Sequence, residues 1–121
     1  MAEEKTLVLL GQNLMFMPRI MSAAQGAGLA TRYANSSKDF WAVFAETQPK
    51  LVLVDLEGDP DIWAEVLAEL RSSELEVRVV AFGQHSDTEG LERARELGCA
   101  AVLTKGEFSR DMQRVVAGDI S

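Results

Sequence analysis

Short, nearly continuous apolar runs alternate along the whole chain with segments that are apolar on one side only, and this alternation is what most restricts the fold. Leu7–Leu10, Leu29–Ala34, Leu51–Val54, Val77–Phe82 and Ala100–Thr104 are the runs, too short for buried helices and flanked by glycine, proline or polar turns. They read as strands, the run at Leu29–Ala34 being the weakest. Between them lie helical patterns. Leu14, Met17, Met21 and Ala24 recur at helical spacing before Gly26 and Gly28, and Pro18 belongs in a first turn, so that helix is predicted to begin near Phe16. Ser36 resembles an N-cap for a helix carrying Phe40, Val43 and Phe44, stopped at Gln48-Pro49. Asp59 suits an N-cap and Pro60 the first helical position of a segment striped with Ile62, Val66, Leu67 and Leu70. Thr88–Leu97, closed by Gly98, and Glu107–Ala117, with Phe108, Met112, Val115 and Val116 on one side, complete the series.

Strands of this kind, each followed by a helix, predict an α/β domain: a three-layer, doubly wound, five-stranded parallel sheet of order 2-1-3-4-5. The 121 residues, 47% hydrophobic and 26% charged, suit one domain over 1–121, with 1–5 and 118–121 expected to fray. The formal net charge of −7 repels phosphate backbones and anionic lipid, so the expected partner is a protein, not nucleic acid or a membrane. One cysteine, Cys99, and one histidine, His85, exclude an intramolecular disulfide and a cysteine-rich metal cage and weaken zinc or haem readings. No apolar run reaches the roughly 20 residues of a membrane span, and the acidic start is unlike a signal peptide, so a cytoplasmic location is expected.

In an open parallel sheet, chemistry sits beyond the carboxyl ends of the strands. Asp55 ends the third run and Lys105 the fifth, whereas the first run passes into uncharged Gly11-Gln12-Asn13. Two of these three places carry chemically useful side chains and one does not. With Asp55 buried against Lys105, the two charges are expected to satisfy each other.

Leu51–Leu56, Val79–Gly83 and especially Arg93–Lys105 make the chain resemble a response-regulator receiver domain, of flavodoxin-like fold, over almost its whole length. The resemblance implies an aspartate that accepts a phosphoryl group from a histidine kinase, a magnesium site, a hydroxyl switch on the fourth strand and a lysine that contacts the phosphoryl group. Asp55 matches the acceptor and Lys105 the lysine. The family's acidic pair, however, falls on Gly11 and Gln12, its hydroxyl on Gly83, its aromatic switch on Val102 and its proline on Gly106. The contact surface the resemblance implies is the face of the fourth helix, fifth strand and fifth helix, with Leu91, Arg95, Val102 and Phe108.

Magnesium favours carboxylates among about six oxygen ligands, so Gly11 and Gln12 deprive it of two charges; only Asp55 and Glu57, with Asp59 near by, remain as weak candidates. Weak metal binding slows phosphoryl transfer, which depends on cations neutralising the moving oxygens. The leading expectation is therefore a degenerate receiver that binds a protein partner without phosphorylation, without a cofactor and without enzymatic activity, as a monomer or weak homodimer. A phosphoacceptor at Asp55 with unusual metal ligation is the second reading. A flavodoxin-like small-molecule module is the third, opposed by the single-glycine loops at Gly11 and Gly83. Other residues carry two readings each. His85 is a loop histidine or a proton-transfer group, and Cys99 a small buried hydrophobe or a redox sensor. Met15, Phe16, Met17, Ile20 and Met21 are core plus one exposed flank or a partner groove, and Trp41 and Trp63 are packed side chains or binding anchors.

Overall fold

The computed structural model describes residues 5–12 and 14–118. The strands are β1 (Lys5–Leu10), β2 (Leu29–Ala34), β3 (Leu51–Asp55), β4 (Arg78–Gly83) and β5 (Ala101–Thr104). The helices are α1 (Met17–Gly26), α2 (Ser37–Thr47), α3 (Pro60–Ser73), α4 (Thr88–Glu96) and α5 (Lys105–Ala117). All strands pair in parallel, in the order β2-β1-β3-β4-β5. Lys5 is the first residue of β1 and Gly118, at φ 91°, caps α5; the rest of the two stretches expected to fray, residues 1–4 and 119–121, lies outside the described residues.

Two-residue periodicity divides the apolar strands between two cores. Val8, Leu10, Val52, Val54 and Ala81 pack on one face with Phe40, Trp63, Val66 and Leu67, beneath α2, α3 and α4. Leu7, Leu9, Leu51, Leu53, Val80 and Phe82 pack on the other with Ile20, Ala24, Phe108 and Met112, beneath α1 and α5. The second core is led by aromatic contacts. Phe82 and Phe108 stack with centroids 4.0 Å apart, and Phe16, preceding α1, meets both edge-on at 5.8 and 5.6 Å.

Several helix starts follow the cap chemistry. The Ser36 and Asp59 side chains accept from Asp39 N and Asp61 N, and Pro60 follows Asp59 into the first turn. The start of α5 differs from expectation. Thr104 forms a capping box with Glu107, its hydroxyl accepting from Glu107 N at 3.1 Å while Glu107 Oε1 accepts from Thr104 N at 2.8 Å. That box sets the helix start at Lys105, two positions before Glu107, and makes Lys105 the first helical residue, not the last of a strand. Strand β4 also runs one residue further than expected, because Gly83 pairs with Thr104.

The stacked ring of Phe108, fully buried between α5 and β4, is the natural probe of the second core. Phe108→Ala is expected to cost about 3–5 kcal/mol of unfolding free energy, read from the urea midpoint. A loss below about 1 kcal/mol would mean that the aromatic cluster is not the packing element described.

Candidate functional site

Strand register brings the ends of β1, β3, β4 and β5 to one edge of the sheet. Leu10 is level with Val54, Asp55 with Phe82, and Gly83 with Thr104, so Gly11, Asp55, Gly83 and Lys105 are carried to neighbouring places. Asp55 is 2% exposed. Its Oδ1 accepts from Glu57 N at 3.0 Å, and its carbonyl from Gly58 N at 3.2 Å, a tight turn that aims the next side chains back toward the edge.

Burial pushes the Asp55 carboxyl above the ordinary aspartate range; the Glu57 N–H bond and the charge of Lys105 oppose that shift without cancelling it, and the Glu57 charge adds to it. The expected ion pair with Lys105 does not form. Lys105 Nζ pairs instead with Glu57 Oε2, while Gln84 Nε2 donates to Glu57 Oε1. The physical reason is placement: Glu57 stands in the partly solvated turn two residues beyond Asp55, where a carboxylate meets the ammonium at smaller desolvation cost. Hydrogen bonding to Lys105 is the main cause holding the Glu57 carboxyl below its ordinary range. The ammonium also lies 5.7 Å from the centroid of the Phe16 ring.

Both glycines at the edge have neighbours pressed against them. A Cβ on Gly11 would stand 2.9 Å from Asp55 Cβ, a separation side chains essentially never show. A Cβ on Gly83 would meet Leu56 Cβ at 3.1 Å and Cδ1 at 3.3 Å, so buried Leu56 crowds the place a hydroxyl-bearing side chain would take. Gly106, by contrast, has room.

No protein-family model and no curated protein matches the sequence. Solved structures do match over nearly the full length. The signal receiver domain of NarL from Mycobacterium tuberculosis superposes with a TM-score of 0.77 at 19% identity, covering 98% of this chain and 97% of that one. The receiver domain of the TMAO respiratory system response regulator TorR gives 0.77 at 16%, covering 97% and 99%. That of NtrX from Brucella abortus gives 0.76 at 21%, covering 93% and 95%. This chain has the receiver fold.

Within the receiver fold, the residues at this edge do not suit a magnesium ion. Glu57 has both oxygens engaged, one of them by an ammonium, one Asp55 oxygen is taken by Glu57 N, and Gly11 and Gln12 contribute no carboxylate. Among the described residues, no three His, Cys, Asp or Glu side chains gather as a metal site.

Other sequence candidates fall elsewhere. Leu91 and Phe108, named as partner contacts, are buried in the two cores and are corrected to packing residues; Arg95 is exposed and Val102 half-buried. Their apolar character sends them inward, which is why the resemblance alone misplaced them. Trp63 is buried, and half-buried Trp41 donates to Glu69 at 2.9 Å, so neither is a free anchor. His85 is exposed. Burial pushes the Cys99 thiol up to about 12, which disfavours the reactive thiolate. Leu14, Met15 and Met21 are exposed, whereas Ile20 is buried and Phe16 and Met17 half-buried. Sequence reading missed the Gln84 amide, the Phe16 ring beside Lys105 and the contact of Leu56 with Gly83. None leaves a pattern along the chain, since each depends on segments distant in sequence meeting at this edge.

Gly11→Asp, the change that replaces one missing acid, is expected to destabilise the fold by about 1–3 kcal/mol through overpacking against Asp55 and to confer no magnesium-dependent rise in Tm. A metal-stabilised variant would refute the closed geometry. A pH series gives a second check. The folded chain holds the Asp55 proton more tightly than the unfolded chain, so stability from this group falls as pH rises from the ordinary aspartate range through the raised folded value, and the penalty persists above it. Glu57 acts oppositely, contributing stability above the ordinary glutamate range that is lost as pH falls through its lowered value. Asp55→Asn is therefore expected to melt above the wild type at neutral pH, with the difference shrinking below the ordinary aspartate range.

Proposed function

We propose that the chain is an atypical receiver domain of two-component, phosphorelay-type signal transduction, serving as a protein-binding module whose action does not depend on phosphorylation of Asp55. The observation that carries this reading is the commitment of Lys105 to Glu57. In phosphoryl transfer the protein supplies position and positive charge to oxygens that move, and an ammonium already neutralised by a resident carboxylate has little charge to offer. Glu57 gives Lys105 a permanent anion, and Gln84 completes the bridge from β4.

The rest of the edge favours the same reading. Asp55, at 2% exposure, is poorly open to a phosphoryl donor. Gly83 brings no hydroxyl, and Leu56 is packed against it. What remains is a rigid scaffold with a strongly acidic overall charge, suited to holding a surface in place rather than to chemistry.

Intact-mass measurement after incubation with a small phosphodonor and magnesium tests this directly. The expected spectrum shows no added phosphoryl group, as for Asp55→Asn, and magnesium is expected to leave Tm unchanged because a ligand stabilises a fold only by binding it. An added phosphoryl group on the wild type that disappears in Asp55→Asn would assign the chain to the working phosphoacceptors instead.

A further inference from the structure

We propose that the groove between α1 and α5 is the docking site for an acidic segment of a partner protein. This rests on the reading of the chain as a protein-binding module and adds where, and with what chemistry, it binds. α5 is interrupted at Asp111, whose φ of −106° and ψ of 16° are not helical, and the groove lies along that interruption with a volume of about 430 Å³. Arg19 and Ser22 of α1 line one side, and Ser109, Arg110 and Arg114 of α5 the other.

On a chain of net charge −7, these three guanidinium groups against the single carboxylate of Asp111 reverse the local sign. Their state favours capture of an anion. Arg19 is already oriented, its Nη1 donating to Ser109 Oγ at 2.6 Å and its Nη2 to Ser109 O at 2.8 Å, with further N–H groups to spare. Arg110 pairs with half-buried Asp111, its sequence neighbour, at 2.9 Å; with the guanidinium itself 70% exposed, the pair is weak and exchanges readily for an entering carboxylate. The Arg114 guanidinium makes no hydrogen bond or close ion pair among the described residues, and only its charge acts on Asp111.

The shape and lining select the class of partner. Arginine forks match carboxylates in two-bond geometry. The groove is open, and its lining has no aromatic face on which a base could stack, so a nucleotide gains little there. A nucleic-acid backbone is repelled by the remaining charge of the chain. Successive carboxylates of an acidic protein segment fit guanidinium groups set on two neighbouring helices.

Titration of the full chain, labelled with nitrogen-15, with an oligoglutamate peptide is the test. Saturable shifts are expected at the amides of Arg19, Ser22, Ser109, Gln113 and Arg114, weakening as salt is raised. The exposed double variant Arg110→Gln/Arg114→Gln is expected to bind about tenfold more weakly or worse, the loss of charge-assisted hydrogen bonds. Arg32→Gln, whose guanidinium pairs with Glu46 away from the groove, is expected to bind as the wild type does. Absence of saturable shifts at the groove, equal weakening by Arg32→Gln, or equal affinity for inorganic phosphate would each overturn the assignment. Phosphoryl uptake on Asp55 would overturn the phosphorylation-independent reading and leave this titration unchanged, so the two failures are distinguishable.

Discussion

Burial of the central strands on both faces is the constraint on which everything else depends. β1, β3 and β4 are almost wholly apolar and inaccessible, so neither face of the sheet can meet water and helices must cover both. Parallel strands require crossovers, the crossovers are the covering helices, and their common direction brings all carboxyl ends to one edge. The site is a by-product of that direction. Asp55, Gly83 and Lys105 are far apart along the chain and meet only because β3, β4 and β5 end together.

At that edge, desolvation decides which charges pair. Asp55 is carried by β3 into a place where an ionised carboxylate is costly, and the chain offsets this with one backbone N–H and a nearby ammonium. Lys105 keeps partial access to water by pairing with Glu57 in the turn. The absence of a side chain at Gly11 is then a packing feature as well as a chemical loss, since the β1 backbone closes onto Asp55 where a larger residue would hold it away.

Much of the fold was legible along the chain because it rests on short-range patterns. The Leu-Val runs, the Asp59-Pro60 helix start and the Gln48-Pro49 stop are local statements, and each appears within a residue or so of its expected place. The start of α5 was less legible because Thr104 both ends β5 and caps the helix, and the cap shows only in its box with Glu107. The candidate site was half legible. Asp55 and Lys105 stood out as charges ending apolar runs, and the uncharged Gly11-Gln12 as a gap between them. Their expected pairing failed because Glu57, two residues from Asp55 in sequence, competes for the same ammonium from a better solvated position.

The sequence by itself determined the alternation of strand and helix, the parallel sheet that follows from it, and the identity of the charged residues at its carboxyl edge. Those properties are written in periodicity and cap chemistry, which act over a few residues. Tertiary structure alone decided that Lys105 turns to Glu57, that Leu56 crowds Gly83, that Leu91 and Phe108 point inward, and that three arginines from α1 and α5 share one groove. Each is a choice among partners brought together across long sequence separations, and such choices are settled by distance and desolvation, quantities that exist only once the chain has folded.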